Sequence, residues 1–97
     1  MNVHIKLFGV FRSAAKDSEL NLQIPDECPT VKAAISQLIA NDSLANLKQL
    51  LWDSEIADPR PNTLIMISGR EIGTLDGLET KLTEEDELSL LPIAHGG

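Results

Sequence analysis

A chain of 97 residues supports one domain with a small core, and 42% hydrophobic with 24% charged residues is an ordinary balance for a globular domain. The formal net charge of −7 argues against nucleic-acid binding, which needs a basic face to neutralise phosphates, and gives no attraction to anionic membranes. No segment is long and apolar enough to cross a bilayer and the N-terminus lacks a signal-peptide layout, so a cytoplasmic location is expected.

Val3, Ile5 and Leu7 alternate with His4, Lys6 and Phe8, the period of a half-buried strand, which turns His4 towards solvent. Gly9 to Asp17 reads as a loop. Leu20, Leu22 and Ile24 alternate again until Pro25 stops the run, so the two segments form an antiparallel hairpin. Thr30 is a candidate N-cap for a helix carrying Val31, Ala34, Ile35, Leu38 and Ile39 on one stripe. Asn41-Asp42-Ser43 breaks it, and Leu44, Leu47, Leu50 and Leu51 predict a second helix ending near Trp52. A connector with Pro59 and Pro61 leads into Thr63–Ile67, a continuous apolar run expected to be a strand covered on both faces. Ser68-Gly69 turns the chain, and Arg70-Glu71-Ile72 begins a short return strand. Leu75, Leu78 and Leu82 predict a short strand or helical turn. After a turn at Thr83–Asp86, Glu87–Leu91 is the final strand and Pro92 ends it.

This order is α+β, with helices over one face of a sheet and the other face solvated or used. Apolar residues left on the second face form a patch to be read as a partner site. The candidates are Phe8, Leu91 and one alternation of Leu64–Ile67. Glu71, Asp76, Glu79, Glu84, Glu85, Asp86 and Glu87 crowd the last third; they solvate the surface and, in addition, can steer a basic partner. The lone Cys28 forms no internal disulfide and fits a reducing compartment. Its acidic neighbours Asp26 and Glu27 give a thiolate no electrostatic support, so no nucleophilic role is assigned. His4, His95 and Cys28 lack metal-ligand spacing, and no metal site is expected. Residues 1–92 are expected to form the folded body and 93–97 a flexible tail. The sequence ends Ile93-Ala94-His95-Gly96-Gly97. A glycine carboxylate is unobstructed by any Cβ, and at roughly 3.3–3.6 Å per residue the 93–97 segment reaches on the order of 17 Å, enough to enter a partner's active site.

The stretches Arg60–Arg70 and Glu85–Pro92, with the terminal Gly96-Gly97, resemble the β-grasp sulfur-carrier and ubiquitin-like modifier family. That family includes the small subunit of molybdopterin synthase, the thiazole-pathway sulfur carrier, the small archaeal modifiers and the ubiquitin-related modifier. The two turns depart mildly from its pattern, reading Ser68-Gly69 and Glu85-Asp86. The resemblance implies a β-grasp fold: a mixed sheet of about four to five strands, with one main helix and a second short helix on one face. It further implies that Gly97 is adenylated by an activating enzyme using ATP and Mg²⁺, with no cofactor held by this chain. A sulfur donor then leaves a thiocarboxylate on Gly97 for molybdopterin synthesis or tRNA thiolation. The chain would be a carrier rather than a catalyst alone, or the small subunit of a sulfurtransferase. Gly96, His95, Ile93, Leu91 and Phe8 would contact partners: the activating enzyme and, in some members, the large molybdopterin synthase subunit. A second outcome is conjugation of Gly97 to lysines of target proteins. A third reading, from another class, is a non-covalent β-grasp interaction module.

Overall fold

A computed structural model describes residues 1–93. The chain runs β1 (Asn2–Leu7), α1 (Gly9–Ala15), β2 (Glu19–Gln23), α2 (Val31–Ile39), α3 (Ala45–Leu51), β3 (Thr63–Ile67), β4 (Arg70–Glu71) and β5 (Glu87–Pro92), with single 3₁₀ turns at Asp42–Leu44, Ile72–Thr74 and Gly77–Glu79. The sheet has five strands in the order β2-β1-β5-β3-β4. β1 pairs antiparallel with β2 and parallel with β5, while β3 pairs antiparallel with both β5 and β4. The sheet is therefore mixed, and the first and last strands lie side by side at its centre. This is the β-grasp, ubiquitin-like arrangement.

The register puts one alternation on a single covered face. Ile5 stands opposite Leu20 and Leu88, Leu7 opposite Leu90, and Leu90 opposite Ile65. These residues join Val31, Ala34, Ile35 and Leu38 of α2 and Leu47 and Leu51 of α3 in one core cluster. Helix α2 forms where predicted because Thr30 Oγ1 accepts the Ala33 N–H (3.2 Å), satisfying a donor the first turn leaves open. Asn41 Oδ1 accepts the Ser43 N–H (3.0 Å) and starts the 3₁₀ turn that hands over to α3.

Three expectations are corrected. The segment read as a loop after Phe8 contains α1. Phe11, Ala14 and Ala15 recur at helical spacing and join the core, Phe11 fully buried. The helix was hidden because it lacks cap chemistry: no side chain caps its start, and Lys16 rather than glycine takes the left-handed conformation at its end (φ 60°). Second, β3 is covered on one face only. Ile65 and Ile67 are buried, whereas Leu64 is 37% exposed and Met66 half-buried. Third, β5 runs one residue further than expected: Pro92 ends it as a paired member of the strand, opposite Thr63. The Ile93 N–H donates to Asn62 O (3.0 Å) and Ser68 N–H to Glu87 O (2.9 Å), which sets the phase of the ladder. In that phase the nitrogen of Pro92 points away from β3, to the side where β1 has already ended at Leu7, so its missing N–H removes no ladder bond.

Candidate functional site

The uncovered face of the sheet and the exit of β5 meet at one corner. The open alternation consists of His4 and Lys6 on β1, Glu19, Asn21 and Gln23 on β2, Glu87, Ser89 and Leu91 on β5, and Leu64 and Met66 on β3. It divides by polarity. Towards β2 it is charged: His4 Nε2 lies 3.6 Å from Glu19 Oε1 and 3.8 Å from Glu87 Oε2, and Lys6 Nζ lies 3.6 Å from Glu87 Oε1. His4 Nδ1 is 3.4 Å from Asn21 Oδ1. Towards the end of β5 it is apolar. Leu91 stands opposite Leu64, and Phe8 lies one residue past the last β1–β5 pair, Leu7–Leu90. Phe8 is 40% exposed and Ile93 39%, and with Leu64, Leu91 and Met66 they make an apolar corner of the kind that marks a partner surface. The sequence had singled out Phe8, Leu91 and Ile93; the register adds Leu64 and Met66 by settling which alternation of β3 faces out.

Two contacts fix where β5 leaves the fold. The Thr63 hydroxyl donates to the Leu51 carbonyl (3.1 Å, buried), tying the start of β3 to the end of α3. Asn62, next to it, receives the Ile93 N–H. On the other flank Gly9 packs on Pro92: a Cβ built on Gly9 would stand 3.1 Å from Pro92 Cγ, and the glycine has φ +56°. Only glycine meets both conditions at low strain. The predicted site residues Gly96, Gly97 and His95 lie outside the described residues, as does most of the 93–97 tail.

Several acids of the last third hold structure. Asp86 Oδ2 accepts from the Thr83 N–H (2.8 Å), and Glu71 Oε2 accepts from the Gly73 N–H (2.7 Å). In the connector, Asp58 accepts from the Arg60 backbone (2.8 Å) and from its guanidinium, Nη2 at 2.6 Å; these hydrogen bonds lower the Asp58 carboxyl pKa below its ordinary value. Cys28 is exposed and unpaired. Among the described residues no group of three or more His, Cys, Asp or Glu could hold a metal ion, and no helix is long and apolar enough to cross a membrane.

The described residues form, among others, two concavities that bear on the site. One, of about 60 Å³, lies on the helix side between Ile35, Trp52, Pro59 and Leu78, too small for a nucleotide. The other, about 210 Å³, opens beside the apolar corner and is lined by Lys6, Leu7, Phe8, Arg12, Ser18 and Glu19. Sequence reasoning missed Arg12 because it assigned this segment to a loop; the Phe11/Ala14/Ala15 spacing was the available signal.

The geometry has close counterparts. A family model described as the ThiS family matches residues 5–97. Small archaeal modifier protein 3 of Haloferax volcanii is 30% identical over 98 residues, covering 100% of both chains. A protein of Archaeoglobus fulgidus named as a candidate sulfur carrier is 33% identical over 89 residues, covering 89% of this chain and 94% of that one. The solution structure of small archaeal modifier protein 1 of Methanosarcina acetivorans superposes with a TM-score of 0.79 at 32% identity, over 99% of this chain and 96% of that one.

Proposed function

Because the chain belongs to the ThiS family, a β-grasp group of sulfur carriers and ubiquitin-like modifiers, we propose that it carries sulfur on the carboxylate of Gly97. The observation that supports this most is the exit of β5. It leaves the sheet beside an exposed apolar corner and is held at Ile93 by Asn62, which sets the last described residue next to a surface suited to a partner.

In the proposed reaction an activating enzyme docks on Phe8, Leu64, Leu91 and Ile93 and draws in His95, Gly96 and Gly97. A Gly97 carboxylate oxygen attacks the α-phosphorus of ATP, with Mg²⁺ held by the enzyme, and pyrophosphate leaves. The acyl-adenylate makes the carboxyl carbon a usable acyl donor, which a bare carboxylate is not. The terminal sulfur of a donor persulfide attacks that carbon and displaces AMP. A second thiol then cleaves the resulting sulfur–sulfur bond, leaving a thiocarboxylate on Gly97 and a disulfide on the donor. The thiocarboxylate passes sulfur to molybdopterin synthesis, with this chain as the small synthase subunit, or to tRNA thiolation. The body supplies docking and reach, and the chemistry belongs to the partner. An exposed, unpaired Cys28 suits the reducing cytoplasm, where we place the reaction.

A second reading has its own support in the 30% identity to a small archaeal modifier protein: the same adenylate is attacked by a lysine amine and an isopeptide forms. Intact mass spectrometry of the untagged protein from its own cells tests both. A species heavier by one oxygen-to-sulfur exchange is expected for the carrier, and Gly-Gly remnants on other proteins' lysines for the modifier. Neither signal, in cells containing an activating enzyme, favours a non-covalent module. Gly97→Ala or an added C-terminal tag is expected to abolish the thiocarboxylate; a normal yield from tagged protein overturns the role of Gly97.

A further inference from the structure

The concavity beside Phe8 is separate in character from the apolar corner it adjoins. Its lining combines the apolar Leu7 and Phe8 with Lys6, Arg12, Ser18 and a single acid, Glu19. The Leu7 N–H donates to Ser18 O (2.9 Å), which closes the chain around α1 and brings the start of β2 against Arg12. Two cations thus line one concavity in a protein whose net charge is −7. Neither is used up internally. Arg12 makes no ion pair among the described residues. Lys6 meets Glu87 at 3.6 Å with both side chains 41% exposed, a surface pair that binds the ammonium only weakly. The one acid of the concavity, Glu19, faces His4 at 3.6 Å.

We infer that this concavity receives an acidic side chain of the activating enzyme, its carboxylate held between Arg12 and Lys6 while the neighbouring enzyme surface packs on Phe8. The planar guanidinium of Arg12 matches a carboxylate with two parallel hydrogen bonds, and Lys6 adds a point charge. The apolar Leu7 and Phe8 in the same lining lower the local dielectric beside such a pair, which strengthens it. A carboxylate fits better than a phosphate, because Glu19 shares the site and repels a dianion more than a monoanion. On a protein of net charge −7, a basic socket beside the β5 exit also favours one orientation of an acidic partner surface over others. The identity of the partner rests on the function proposed above; the chemistry of the socket does not.

The test measures binding of the source organism's adenylating enzyme without nucleotide, by calorimetry, for wild type, Arg12→Gln, Arg12→Lys, Lys6→Gln and, as a control for net charge, Lys32→Gln on α2. Arg12→Gln is expected to raise Kd about tenfold or more, Lys6→Gln less, and Lys32→Gln not at all, with Arg12→Lys in between. The wild-type Kd is expected to rise more steeply with salt than that of Arg12→Gln. Melting temperatures report that each variant is folded. Equal Kd values for Arg12→Gln and Lys32→Gln overturn the inference. So does an Arg12→Gln effect confined to the KM for ATP, which would make a nucleotide phosphate the occupant. Thiocarboxylate formation is followed in parallel. Binding that weakens in Arg12→Gln without any activation of wild type supports the socket and refutes the carrier function. Normal activation with Kd unchanged by Arg12→Gln does the reverse. No binding by wild type overturns both.

Discussion

Adjacent residues of the same strands build two unlike surfaces. Ile65 is 1% exposed and Leu64, one residue earlier, 37%; Leu90 is fully buried and Leu91 only half so. The chemistry of each pair is nearly the same, so side-chain type does not separate the core from the open face here. What separates them is register: the pleat sends alternate residues to opposite faces, and the helices cover one of these. A leucine on the covered face works for stability. A leucine on the open corner leaves apolar surface in contact with solvent, where it contributes less to stability and is open to a partner.

That contrast can be broken in a defined order. The largest effect is expected for Leu90→Ala, a fully buried central-strand residue, which should lower unfolding free energy by about 2–5 kcal/mol, read as the denaturant midpoint. A loss under about 1 kcal/mol would mean the core at β5 collapses around the cavity far better than its packing implies. Next is Leu64→Asp, which should weaken activating-enzyme binding by about 2 kcal/mol or more while the melting temperature stays near wild type. Leu91→Asp should act alike. Unchanged affinity, or an unfolded variant, removes that residue from the interface. Third, Gly9→Ala sets a Cβ against Pro92 at φ +56°, and a destabilisation of about 1–2 kcal/mol is expected. A neutral Gly9→Ala would show that α1 shifts freely on Pro92. The smallest is Asp58→Asn, well under about 1 kcal/mol by thermal melts, because Arg60 is largely exposed. Its sign with pH is fixed. The Asp58 carboxyl pKa is lowered from 3.8 in the folded protein, so the stabilising contribution is complete above that value and fades as pH falls through the lowered one. A difference between wild type and Asp58→Asn that grows on acidification would contradict the assignment.

How much of this was readable beforehand follows from what each element relies on. The hairpin, α2 with its Thr30 cap and the break at Asn41 rely on local pattern, and the sequence displayed them. Helix α1 relies on tertiary burial of Phe11 and is capped by Lys16, so punctuation gave it away to no rule. The run Thr63–Ile67 is apolar at nearly every position, so periodicity alone could not say that Leu64 and Met66 stay uncovered; only the pairing of Leu64 with Leu91 does. The same holds for the socket: Lys6, Arg12 and Ser18 come together through the β1–β2 pairing and α1, and no spacing in the chain announces it.

The central pairing of β5 has a mechanical consequence. β5 is bonded along one edge to β1, running parallel, and along the other to β3, running antiparallel. A pull applied beyond Ile93 acts along the strand, across ladder bonds on both sides. It loads them together in shear rather than peeling them one at a time. An enzyme acting as proposed would therefore hold a handle anchored through the middle of the sheet. It can draw on that handle without unravelling the body, whereas a pull on β4, an edge strand held to β3 alone, would unzip it bond by bond.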